Sequence, residues 1–156
     1  MGADTGFATG VGEPLEGVEQ VRAGVGVDRH AWLLTDPETE VGTGPRADVP
    51  CLLELPRLIR LKYLTTVNRW THAGPVTTLR AGPGDHRERS LVWRDLQRDC
   101  DVGDVAPLVF RDRFGCWGFL DLWRAGADAE FTERDAALLT AIRGTRAQAA
   151  PAFTFE

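Results

Sequence analysis

Two β-rich apolar runs, Val105-Ala-Pro-Leu-Val-Phe110 and Cys116-Trp-Gly-Phe-Leu-Asp-Leu-Trp123, flank the short link Arg111-Asp-Arg-Phe-Gly115. Runs of this kind joined by a Gly-containing turn read as an antiparallel hairpin, and a hairpin this apolar must be covered. Pro107 has no N–H for a ladder, so its strand lies at a sheet edge or turns residue 107 away from its partner. In the second run the period of two puts Cys116, Gly118, Leu120 and Leu122 on one face, with the look of ordinary core. Trp117, Phe119, Asp121 and Trp123 share the other face. Three aromatics with a single carboxylate suit a ligand platform, apolar stacking with one polar anchor. They equally suit a fully covered sheet face in which Asp121 caps a loop or pairs with an Arg.

The remaining elements follow from local signals. Residues 1–12 are Gly-, Ala- and Thr-rich without a period and read as a flexible tail, with 13–150 as one domain and 151–156 as a C-terminal tail. Leu15, Val18, Val21 and Val25 are spaced for a short amphipathic helix, weakened by Gly17 and Gly24. His30 to Thr35 is a strand closed by Asp36-Pro37-Glu38-Thr39, with a short return at Val41 to Gly44. Pro56 favours a helix starting near Leu55 and running through Leu58, Ile59 and Lys62. Val76 to Arg80 reads as a strand. Asp85-x-x-Glu88 opens a helix to Arg98 that presents Trp93, Leu96 and Cys100 on one face. Thr132-x-x-Asp135 caps a last helix through Leu138, Leu139 and Ile142, with Phe131 just before the cap. Mixed helices and antiparallel strands without a repeat argue an α+β fold.

Charge and cysteine usage narrow the chemistry. Lys and Arg total 18 against 23 Asp and Glu, a net charge of −5. No basic stripe is visible, so direct nucleic-acid binding is not expected. Seventeen of the 18 basic residues are Arg and the exception is Lys62, at the end of an otherwise apolar helix. A lysine there is either a lowered-pKa base or Schiff-base group, or a stem covering apolar surface with its ammonium in water. Cys51, Cys100 and Cys116 form no C-x-x-C and read as buried, reduced thiols. His30, His72 and His86 lack metal-site spacing, leaving a single axial ligand as their one cofactor role. Asp99-Cys-Asp101-Val-Gly103-Asp104 fails as a calcium loop, with Gly103 at the third acidic position. No Walker loop or G-x-S-x-G occurs. No apolar run approaches the ~18 residues of a membrane helix, and the start is unlike a signal peptide. A cytoplasmic protein with no membrane partner is expected.

Several stretches together resemble a known family: Ala31-Trp-Leu-Leu-Thr-Asp-Pro-Glu-Thr39, Leu55 to Thr65, Val67-Asn-Arg-Trp70, Gly103-Asp-Val-Ala106 and Phe110 to Arg124. From about residue 14 to 148 the chain resembles a GAF-type sensor domain, in particular the N-terminal domain of bacterial LuxR-type transcriptional regulators. The resemblance implies a central antiparallel sheet of five or six strands with helices on both faces. First and last helices pack on one face; shorter helices and loops over the other enclose a small-molecule pocket. Segment 51–72 would cover that pocket and strand 116–123 would floor it. The expected ligand-binding set is then Lys62, Trp70, Trp117, Phe119, Asp121 and Trp123, with Asp121 as anchor and Trp70 or Lys62 near the roof.

The departures from the family matter too. The regulators continue into a C-terminal helix-turn-helix, which finds no counterpart here, so a domain without its own DNA-binding module is expected. No Cys adjoins a His as in bilin-binding members, the N-K-F-D-E motif of cyclic-nucleotide members is absent, and the cysteine spacing differs from the sulfoxide-reducing members. No cofactor is therefore expected. One reading is a sensory or regulatory domain for a ligand of aromatic or ring character, acting alone, as a homodimer or through a regulatory protein partner. The other is a stand-alone enzyme using the same pocket for proton transfer or biosynthetic tailoring.

Overall fold

The computed structural model describes residues 21–70, 75–80 and 85–148. Both expected tails and most of the expected first helix lie outside these residues. Helical residues 21–25 end at Gly26, whose φ of +71° suits glycine and whose N–H donates to the Arg22 carbonyl at 3.1 Å. Four strands follow: β1 (Arg29–Thr35), β2 (Gly42–Ala47), β3 (Val102–Asp112) and β4 (Gly115–Ala125). Three α-helices accompany them: α1 (Leu55–Leu64), α2 (Leu91–Asp95) and α3 (Glu133–Gln148). The sheet is antiparallel throughout in the order β2-β1-β4-β3.

The sheet has four strands among the described residues, not the five or six expected. The expected strand Val76 to Arg80 runs beside β3 without joining it. Leu79 N–H reaches the Val105 carbonyl at 3.2 Å, but Arg80 N–H bonds the Asp104 carboxylate instead of a ladder carbonyl. Pro107 supplies the reason. Val105 uses both its N–H and its carbonyl outside the hairpin, so by alternation the Pro107 nitrogen also points to the open edge, where it has no hydrogen to donate. The edge is thereby blunted against a further strand.

The turn between β3 and β4 brings in the β1–β2 loop. Gly115 has φ +139°, and a Cβ there would stand 2.0 Å from the Pro37 carbonyl oxygen. That carbonyl accepts the Cys116 N–H at 3.2 Å. Only glycine permits this approach.

Helices lie on both faces, as expected. On one, Val21, Val25, Phe131 and Leu139 pack on Ala106, Leu108, Leu120 and Leu122. On the other, Leu58, Trp70, Val92, Trp93 and Leu96 pack on Val105, Phe119 and Trp123. Cys116 departs from its assigned face and belongs to this second cluster. Phe110 pairs with Gly118 but Arg111 with Cys116, so Trp117 is an extra residue, a bulge that resets the alternation.

The expected continuous helix 85–98 is also broken. It consists of a 3₁₀ turn Arg87–Arg89, α2, and a second 3₁₀ turn Gln97–Cys100. The Ser90 hydroxyl accepts the Trp93 N–H at 3.2 Å, starting α2 afresh five residues after Asp85. Trp93, Leu96 and Cys100 nevertheless face one core. At α3 the expected cap forms reciprocally, Thr132 N–H to Asp135 at 2.9 Å and Asp135 N–H to the Thr132 hydroxyl at 3.1 Å.

Leu120 and Leu122 are 2% and 0% exposed beneath these helices. Truncating either to Ala is expected to cost about 2–5 kcal/mol through the cavity left behind. Urea melts showing less than about 0.5 kcal/mol for both, the range of ordinary surface substitutions, would contradict the face assignment.

Candidate functional site

Asp121, in the middle of β4, is fully buried and collects two side chains from the segment that covers it. The Trp70 indole N–H donates to its Oδ1 at 2.7 Å, and the Lys62 ammonium lies 3.0 Å from the same oxygen. Lys62, 1% exposed, also donates to the Asn68 carbonyl at 2.8 Å and lies 5.3 Å from the centre of the Trp70 ring. Burial pushes the Lys62 pKa below the usual lysine range, against the pull of Asp121. Asp121 Oδ2 makes no hydrogen bond among the described residues.

Local structure delivers these groups. Pro56 in the first turn of α1 lets the helix start without a lost hydrogen bond, which puts Leu58 and Lys62 on its buried side. The chain then reverses through Asn68 at φ +59°, a left-handed conformation that asparagine tolerates better than most residues. The Asn68 side-chain amide donates to the Val105 carbonyl at 3.1 Å, pinning the reversal to β3 and bringing Trp70 over β4.

Aromatic rings fill the space beside the ion pair. Trp70 stacks on Phe119 with centroids 5.1 Å apart and planes 6° from parallel. Tyr63 meets both rings edge-on, at 6.1 Å and 6.0 Å, and its hydroxyl donates to the Glu40 carbonyl at 2.6 Å. The surface of Phe119 that would receive a planar ligand is occupied by Trp70.

Of the six expected site residues, the structure brings Lys62, Trp70, Phe119 and Asp121 into one cluster. Trp123 is buried in the same core. Trp117 stands apart, half-buried at the bulge beside the Asp112 carboxylate. None of the six lines the cleft of about 260 Å³ that opens at the free edge of β3. Its floor is Pro107 and Val109, and Arg69, His86, Arg89 and Arg143 stand around it.

Two features escaped the sequence reading. Asp104 is buried and accepts from the N–H groups of Arg80, Val105 and Phe131, so that one carboxylate fastens three segments. Burial raises its pKa above the usual aspartate value despite those donors. Cys51 and Cys100, 49 positions apart in sequence, interact through their thiols. Burial and that neighbour push the Cys51 pKa to about 12, leaving it protonated and unreactive at neutral pH. Among the described residues no group of three or more His, Cys, Asp and Glu could hold a metal ion, and no helix is long and apolar enough to cross a membrane.

This arrangement, an antiparallel sheet with terminal helices on one face and short helices on the other, is a GAF-like α+β fold. Among solved structures the chain is similar to GAF3 from Slr1393 of Synechocystis sp. PCC6803 in its photoproduct state. The TM-score is 0.56 at 17% identity, over 89% of this chain and 91% of that one. No protein-family profile and no curated protein matches the chain significantly.

The Trp70–Asp121 contact can be tested alone. Trp70→Phe keeps a ring over Phe119 but removes the donor, and should cost about 1.5–3 kcal/mol as a lost hydrogen bond to a charged group. An unchanged denaturation midpoint would show that Asp121 does not depend on the indole.

Proposed function

We propose that the chain is a small-molecule-binding sensory domain, related to the N-terminal domains of LuxR-type regulators and acting through a homodimer or a regulatory protein partner. The observation that carries this reading is a buried carboxylate that uses one of its two oxygens, set among aromatic rings under a cover held by side chains. Buried polar atoms are ordinarily satisfied, so Asp121 Oδ2 is suited to a donor group that enters with a ligand. The cover meets the sheet through Lys62, Trp70, Asn68 and the ring of Tyr63, with no β-ladder of its own among the described residues. A ring-bearing ligand that replaces Trp70 over Phe119 would move the cover, and that movement is the signal.

The catalytic alternative fares worse. Lys62 and Asp121, the groups best suited to proton transfer, are paired with one another, so neither stands as a free acid or base. A catalyst needs one of them unpaired at the reacting atom; a sensor needs the pair as a latch.

The ligand chemistry gives the test. Tryptamine, tryptophol and 3-ethylindole share a ring and differ in the group that would meet Asp121. Tryptamine should bind best and 3-ethylindole worst, read by calorimetry, and no probe should be chemically altered. Tightest binding by 3-ethylindole, or no binding by any probe, would contradict the reading.

A further inference from the structure

The cleft at the edge of β3 has a character that the aromatic cluster does not share. Among its described lining residues are three arginines and a histidine, and neither an aspartate nor a glutamate. That is unexpected in a chain where acidic residues outnumber basic ones by 23 to 18. Elsewhere arginines sit against carboxylates: Arg87 against Asp85, Arg111 against Glu40, Arg124 against Asp135. Arg69 and Arg89 form no ion pair with a carboxylate among the described residues. The Arg69 Nε donates to the Thr65 carbonyl at 2.8 Å, and Arg89 Nη1 lies 3.4 Å from the His86 ring. The like charges of Arg69 and Arg89 on one hollow repel each other, and an anion placed between them relieves that repulsion.

The floor and size restrict the anion further. Val109 and the Pro107 ring are buried and apolar, and Pro107 offers no backbone N–H at this edge. About 260 Å³ falls just below the 300–1,000 Å³ of pockets for drug-sized ligands, so the occupant is small. Thr66 and Thr77 add hydroxyl groups to the lining. Arginine forks pair in bidentate fashion with both carboxylate and phosphate.

We propose that this cleft binds a small ligand with a carboxylate or phosphate head, held by Arg69 and Arg89, and a short apolar body resting on Pro107 and Val109. The site is separate from the aromatic cluster and does not depend on a ligand entering there. It adjoins the same cover, because Asn68 lines the cleft while its carbonyl holds Lys62. An anion seated there touches the loop that carries Trp70.

Calorimetry on the whole chain with benzoate, phenyl phosphate, inorganic phosphate and uncharged benzyl alcohol tests the proposal. Benzoate or phenyl phosphate should bind, the better of the two identifying the head group, with affinity that weakens as salt rises. Inorganic phosphate should bind more weakly than phenyl phosphate, and benzyl alcohol not at all. Arg89→Ala, at an exposed position, should leave the melting temperature unchanged and weaken binding about tenfold or more, with Arg89→Lys recovering part of the loss. Binding that ignores Arg89→Ala, or equal binding of benzyl alcohol, would overturn the proposal, as would no binding by either aromatic anion. Tryptamine titrated into Arg89→Ala separates the two sites: its binding should persist there, so that each reading can fail without the other.

Discussion

A single buried ion pair, Lys62 to Asp121, decides how one half of this molecule sits on the other. Burying two charges costs more than their attraction returns unless geometry and further hydrogen bonds compensate. Here Trp70 and the Asn68 carbonyl supply those bonds, so the pair cannot form unless α1, the reversal at Asn68 and Trp70 are all in place. Hydrophobic replacement of such a pair is often neutral or better for stability, which makes bulk stability a poor reason for its presence. What it supplies is a unique position for a cover whose described residues include no strand to set its register.

The opposite face needs no fully buried ion pair. Leu120 and Leu122 meet α3 through apolar contact, the capping box fixes where that helix begins, and the part-exposed Arg124–Asp135 pair ties its first turn to β4. The sheet therefore has a mainly apolar side and a side organised around a buried polar node. The edge strand continues the asymmetry. Pro107 keeps the 76–80 segment from extending the ladder, and the cationic cleft occupies the place where a further strand would lie.

Much of this was legible in the sequence because the signals are local. The hairpin, the start of α1 at Pro56 and the Thr132–Asp135 cap depend on residues within a turn or two of each other. The face of Phe119, Asp121 and Trp123 was read correctly from the period of two, and failed for Cys116 because a bulge at Trp117 cannot be seen from one strand. Ser90 was overlooked as a cap because the apolar period runs straight through it. The partners of Asp121 lie 51 and 59 positions away, and only the fold brings them together. Sequence pattern singled out Lys62, Trp70 and Asp121 separately, yet offered nothing to say that they satisfy one another. Nor could it show that the space imagined above Phe119 is filled by Trp70 itself.

Native-state hydrogen exchange on Lys62→Met tests most directly whether this ion pair positions the cover. Methionine keeps much of the apolar stem but removes the ammonium. The account predicts that amide protection falls in residues 55–64 while the amides of β1, β3 and β4 keep theirs, since the other face is held independently. Equal loss of protection across the sheet and α1, or no change in α1, would contradict it.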